Sequence, residues 1–308
     1  MWLTSSSIGR KVVMALTGAF LVLFVTFHAL MNGVALFWPA AYNMVCEFLG
    51  ANWYALVGTL VLAAGFILHI IYATWLTLQN RKARGHERYA VTSRPKQVEW
   101  SSKNMLVLGI VVLAFLVIHL IQFWAKMQLA EICHFEVLDG GQTVPAAAGT
   151  WFLEIAFGQW WTLPVYLIGF IALWFHMTHG FWSMMQTVGW NNDTWMKRMK
   201  CIGNAWTTVV IALFVAEAIV FTVNANSHNY TSCGKLQSQY VEMLKAHEGE
   251  TVCCPAAVCV EAAAVGQCAA QQCAQENCNA AECQQECCAA AAVEVAETVI
   301  VETETVNE

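Results

Sequence analysis

Residues 53–78 read WYALVGTLVLAAGFILHIIYATWLTL, a stretch without Asp, Glu, Lys or Arg and with a single histidine, His69. As a helix it would rise about 39 Å, more than the ~30 Å hydrocarbon core of a bilayer. An apolar segment of that length has few destinations other than lipid, and the imidazole inside it is costly enough to demand a reason.

Four more stretches are comparable, at about 12–36, 104–127, 160–187 and 203–224, and only the last holds an acidic or basic residue away from its ends. Over the 308 residues, 58% are hydrophobic and 12% charged, which points to lipid as the main solvent. The segments are too long and unbroken for barrel strands, and in lipid each helix satisfies its own backbone. The expected fold is an all-α membrane protein with five transmembrane helices. No strand, nucleic-acid motif or phosphate loop is expected.

Basic residues set the expected orientation. Arg10 and Lys11 precede the first span, Arg81, Lys82, Arg84, Arg88, Arg94, Lys96 and Lys103 fill the loop between spans two and three, and Lys197, Arg198 and Lys200 lie between spans four and five. The loops at about 37–52 and 128–159 have no Lys or Arg. By the positive-inside rule the N-terminus and the basic loops are cytoplasmic and the C-terminal tail lies outside. The first stretch is read as a retained span, because its apolar run continues past His28 to Leu36 without a small-residue cleavage site. Trp151 to Trp161 are expected along the membrane interface, ahead of span four.

Two domains follow, a five-span membrane domain at 1–226 and a polar tail at 227–308. Nine of the 13 cysteines lie between Cys253 and Cys288 among Ala, Gln and Glu, a composition that cannot build an ordinary core. No C-x-x-C spacing occurs, so a zinc ribbon, a redox dithiol and a covalent haem motif are unsupported. The tail is expected to be disordered, with disulfides available on the outer side.

Each of the first four spans carries a histidine about 15 residues from its start: His28, His69, His119 and His176. Because the spans alternate in direction, His28 and His119 fall near the outer face and His69 and His176 near the inner one. For helices of about 25 residues the two layers would be roughly 10 Å apart. Each pair supplies two imidazoles with no thiolate or carboxylate nearby, which suits the two axial positions of a haem better than a tetrahedral zinc site. With both axial positions filled, electron transfer is favoured over oxygen chemistry. The first four spans are therefore expected to form a haem-binding bundle. Gly65, four residues before His69, and Gly180, four after His176, are positions where a flat macrocycle could approach a helix, or where helices pack closely.

Several segments together resemble the single-chain, five-span dihaem cytochrome b subunit of the succinate dehydrogenase and fumarate reductase family. They are Ser6-Ser7-Ile8-Gly9-Arg10-Lys11, Phe27-His28, His69-Ile70-Ile71-Tyr72, His119, and Phe175-His176-Met177-Thr178-His179-Gly180-Phe181-Trp182. The resemblance covers about residues 1–230. It implies two haem b groups, the outer held by His28 with His119 and the inner by His69 with His176, and it favours His176 over His179 because the family's ligand precedes a glycine by four residues. It also implies menaquinone as the carrier, a flavoprotein and an iron–sulfur protein as cytoplasmic partners, and the bacterial inner membrane as location. Succinate or fumarate chemistry would then occur in the flavoprotein. Some family members carry a Glu just before the span-four ligand; here Leu173, Trp174 and Phe175 stand there, which places that proton route in doubt. The tail from Cys253 onward lies outside the family pattern.

Quinone chemistry needs a lateral pocket and groups that exchange protons. Glu47 in the first outer loop, Glu217 inside span five and His179 are the candidates. Ser183, Gln186, Arg10, Lys11, Arg81 and Lys82 lie where propionates of an inner haem would end. Two other readings share parts of the pattern: a dihaem cytochrome b serving a hydrogenase or formate dehydrogenase, and a haem-free transporter with intramembrane histidines.

Overall fold

The computed structural model describes residues 6–50, 52–84 and 100–251. Five helices in it are long and apolar enough to cross a membrane: α1 (Ser7–Phe37), α3 (Trp53–Arg84), α5 (Met105–His119, continued by a π turn over Leu120–Trp124), α8 (Thr162–Thr187) and α9 (Asp193–Asn226). Shorter helices are α2 (Pro39–Gly50), α4 (Trp100–Lys103), α6 (Gln128–Cys133), α7 (Gly149–Phe157) and α10 (Gly234–Thr251). The chain is a mostly helical membrane protein. The basic loop segments at 85–88 and 94–96, and the cysteine-rich region from Cys253, lie outside the described residues.

Side-chain chemistry sets the helix starts. Ser6 accepts a hydrogen bond from the Gly9 amide at 2.9 Å and caps α1; Asn192 does the same for α9 through Trp195 at 2.8 Å, with Asp193 in the first turn. Large apolar side chains point outward along every span: Leu23 on α1 is 69% exposed and Val209 on α9 likewise 69%. Water would not tolerate so much contiguous apolar surface; lipid does.

α8 is the central helix, packed against α9, α5 and α1, while α9 also contacts α1 and α3 leans chiefly on α1. The fifth span thus belongs to the bundle and is no appendage to the first four. Hydrogen bonds cross its seams: Trp206 Nε1 donates to Thr26 Oγ1 at 3.1 Å, and Trp174 Nε1 to Thr208 Oγ1 at 3.0 Å. At the opposite edge, the Arg10 guanidinium lies 5.4 Å over the Trp75 ring, joining the start of α1 to the late part of α3. Where α8 meets α5 the helices touch through Gly169, at which a Cβ would come within 2.5 Å of Phe115 Cγ. We expect Gly169→Val to overpack this seam by about 1–3 kcal/mol, lowering the thermal midpoint in detergent; adding Phe115→Ala should recover part of the loss.

One end of the bundle is built up into a polar layer with three features that hydropathy does not announce. A two-stranded hairpin, β1 (Val137–Asp139) with β2 (Gln142–Val144), occupies the second loop although no strand was expected. Its turn is Gly140-Gly141, with φ of 59° and 84°, the double positive φ of a tight hairpin; three-residue strands are too short to leave an alternating pattern. Secondly, within the Trp151–Trp161 segment α7 is buried, with Phe152 at 0% and Leu153 at 2% exposure, under α2, α9 and the chain after α9, while Trp160 is 87% exposed. α7 approaches α2 closely at Gly149, where a Cβ would meet the Tyr42 ring at 2.7 Å.

Thirdly, one compact unit holds the spans together with the described residues that follow them up to Val241. The residues after α9 are tied down by polar side chains that hydropathy does not register. Asn43 accepts from the Thr150 amide and hydroxyl, both at 2.9 Å, and donates to Gln239 Oε1 at 3.1 Å. Since the Thr150 hydroxyl proton goes to Asn43, the Tyr240 hydroxyl donates to Thr150 at 2.7 Å, and burial pushes that phenol up to about 12. Glu154, 7% exposed, accepts from His228 Nδ1 at 2.9 Å, from the amides of Tyr230 and Thr231 at 3.1 and 3.0 Å, and from the Thr231 hydroxyl.

Candidate functional site

The four span histidines meet as two pairs. His28 on α1 faces His119, the last residue of α5 before the π turn, with ring centroids 5.7 Å apart and planes at 83°. Aromatic rings sleeve this pair: Phe24 stacks on His28 at 5.5 Å, Phe214 lies 6.0 Å from it, and Phe123 lies 5.3 Å from His119. The π turn, closed by the Ala125 amide on the Leu120 carbonyl at 2.8 Å, brings Gln122 and Phe123 to this level; such turns are frequent at functional sites.

His69 on α3 faces His176 on α8, with centroids 6.3 Å apart and planes at 65°. Bare backbone flanks them, since a Cβ on Gly18 would lie 3.6 Å from His69 Cε1 and one on Gly109 3.7 Å from His176 Cε1. His69 Nδ1 lies 3.2 Å from Thr17 Oγ1. His176 Nδ1 is buried with no hydrogen-bond partner among the described residues. On α1 the level of this pair is marked by Thr17, 28 − 17 = 11 residues before His28, or about 16 Å of helix. That exceeds the roughly 10 Å expected, because α1 begins at Ser7 and so carries His28 further from its start than about 15 residues.

Two imidazoles that share one metal ion through bonds of about 2 Å put their centroids roughly 6 Å apart. Both pairs have that spacing. Among the described residues no three His, Cys, Asp or Glu side chains converge as a metal cage, so the arrangement offers two ligands at each of two levels. No protein-family model, curated protein or solved structure matches the chain.

The remaining candidates separate. His179 belongs to neither pair, and its ring lies edge-on to Trp182 at 4.8 Å. Glu47 is exposed on α2. Glu217 is 3% exposed inside α9 and packs on α1 where Gly33 leaves room, a Cβ there lying 3.5 Å from its Oε1; that oxygen has no hydrogen-bond partner among the described residues. Of the two glycines near ligands, Gly65 packs against Phe20, which a Cβ would meet at 2.8 Å, while Gly180 faces open space.

Groups not singled out in the sequence surround the His28–His119 pair. Asn32, one turn after His28, donates to the His28 carbonyl at 2.8 Å and has its amide 3.3 Å from the ring, while Tyr42 donates to Asn32 Oδ1 at 3.1 Å. Burial, then Cys46 beside it, holds the Tyr42 hydroxyl well above the ordinary phenol range, so it remains a neutral donor. Asn32 was findable by its i+4 spacing; Tyr42 required knowing that α2 folds back. Beside the π turn a lateral cleft of about 440 Å³ is lined by Ile118, Ile121, Gln122, Lys126, Gln159 and Trp161.

Burial also pushes the Cys46 thiol up to about 12. At pH 8 almost none of it is thiolate, the reactive form. Mass-spectrometric mapping after brief alkylation at that pH should find the exposed Cys133 modified and Cys46 intact, and Cys46 should stay slow until the protein is unfolded.

Proposed function

We propose that this chain is the membrane-anchoring cytochrome b of a succinate:quinone or quinol:fumarate oxidoreductase, with two haem b groups held between spans. His28 and His119 would hold the outer group and His69 and His176 the inner one. The observation that carries the reading is that both pairs have the spacing of imidazoles sharing one ion, in apolar or glycine-lined surroundings that suit a flat macrocycle. When bound, the haems supply one-electron carriers at two depths. The chain's own residues would hold the groups through the four imidazoles, and the Phe24, Phe123 and Phe214 rings would keep water away from the His28–His119 pair.

In this reading the N-terminus and the basic loops face the cytoplasm of a bacterium and dock a flavoprotein and an iron–sulfur protein. Quinone, by resemblance menaquinone, would reach the outer level through the lateral cleft, where Gln122, Lys126 and Gln159 provide polar groups on an apolar wall. Glu217, buried one helix away, is the nearest intramembrane acid to the Asn32–Tyr42 chain and would serve proton exchange there.

The test is a reduced-minus-oxidised spectrum of the purified chain, with a count of haem per polypeptide. Two b-type haems are expected. Absence of a b-type band would leave the haem-free transporter standing, and copurification with a hydrogenase or formate dehydrogenase in place of a flavoprotein would reassign the partner.

A further inference from the structure

In each pair one imidazole has its protonation pattern fixed from outside. At the outer level the fixed point is the Ala156 carbonyl, which can only accept. Thr162 donates its hydroxyl proton to that carbonyl at 2.7 Å, so its oxygen must accept from the amide NH₂ of Gln122 at 3.2 Å. This sets the Gln122 amide with Oε1 toward Tyr166, whose hydroxyl donates to it at 2.9 Å. A phenol has one proton. Having spent it on Gln122, the Tyr166 oxygen can only accept from His119 Nδ1, 3.2 Å away. The chain therefore has one direction from end to end, and His119 carries its proton on Nδ1 and presents an unprotonated Nε2.

The inner level repeats the logic with one residue. Thr17 donates its hydroxyl proton to the Val13 carbonyl at 2.9 Å and more weakly to that of Met14 at 3.2 Å. Its oxygen is left to accept from His69 Nδ1 at 3.2 Å, and Nε2 again is the bare nitrogen. Their partners differ: among the described residues His176 Nδ1 has no hydrogen-bond partner, and the His28 ring meets the Asn32 amide at 3.4 Å from Nδ1 and 3.3 Å from Nε2.

We propose that Tyr166, backed by Gln122 and Thr162, and Thr17 are positioning residues, each of which fixes the Nδ1–H tautomer of one histidine per pair so that Nε2 faces the metal. The proposal rests on the haem-binding reading above. An acceptor on Nδ1–H makes an imidazole a stronger donor and favours ferric over ferrous iron. Losing the acceptor raises the midpoint potential of that haem alone.

The experiment is a potentiometric titration of the purified haem-loaded protein, followed optically and by EPR. Tyr166→Phe keeps the ring, which packs on Phe115 and Phe157 at 5.0 and 5.1 Å, and should weaken the ferric preference of the outer haem by about three- to tenfold, where tenfold is about 59 mV for one electron. The inner haem should stay where it was. Thr17→Val should do the reverse, and Thr17→Ser should restore the native potential. Gln122→Met leaves the tyrosine in place but frees its proton to turn toward His119, so it should shift the outer haem in the same sense; a role of Tyr166 in packing alone would leave this variant silent. Unchanged potentials in Tyr166→Phe and Thr17→Val, or equal shifts of both haems in either, would overturn the assignment while leaving the dihaem reading intact. A wild-type protein with no b-type signal would overturn both.

Discussion

If the chain holds two b-type haems as proposed, replacing His119 by alanine is expected to remove one of them and to leave the other in place. The His28 and His119 rings face each other at 5.7 Å, and no third His, Cys, Asp or Glu among the described residues stands ready to replace either. Loss of a direct ligand should exceed the 10–100-fold cost in metal affinity typical of an outer-shell partner, so haem per chain should fall from two to one. His28→Ala should remove the same haem, identified by its potential, and His69→Ala and His176→Ala should both remove the other. His179→Ala should retain both. If His28→Ala and His119→Ala delete different haems, the pairing is wrong even if haem is present.

The second large effect is one of stability, at Glu154. Its carboxylate receives two backbone amides, a threonine hydroxyl and the His228 ring, and its side chain is almost wholly enclosed. Glu154→Leu removes every acceptor at once and leaves the Tyr230 and Thr231 amides without partners, at about 1–3 kcal/mol for each buried orphan donor. We expect a loss of about 3 kcal/mol, read as a thermal midpoint lower by several degrees, and faster proteolysis between residues 227 and 241 than in the native protein. Glu154→Gln keeps one carbonyl oxygen and should lose less. If Glu154→Leu melts and resists protease like the native chain, the carboxylate is not what secures this segment.

The five spans were legible because lipid imposes a simple rule, about 20 consecutive predominantly apolar residues, and residues 53–78 obey it without an Asp, Glu, Lys or Arg. The histidine pairs were legible for a related reason: successive spans must alternate in direction because each crosses the bilayer once, so depth along each span is enough to say that His28 meets His119 and His69 meets His176. What stayed hidden was everything that depends on polar side chains meeting across long stretches of sequence. Asn43 binds Thr150, and Glu154 binds Tyr230, through contacts 107 and 76 residues apart that no periodicity announces. That Gly149 lets α7 press against α2 was not announced by the loop that precedes it. Tyr166 carried no sequence signal, and only the direction of the hydrogen bonds around it gives it the proposed task.

The enclosure of Glu154 also implies an order of events during synthesis. A nascent chain that has delivered only its fourth span holds an acid at 154 whose donors, at 228 to 231, have not yet left the ribosome. The periphery at that end can close only after the fifth span has entered the lipid and drawn the following residues across. Until then the acid requires water, and a polypeptide stalled at that stage would display an unsatisfied carboxylate by which quality-control proteases could distinguish it from the finished molecule.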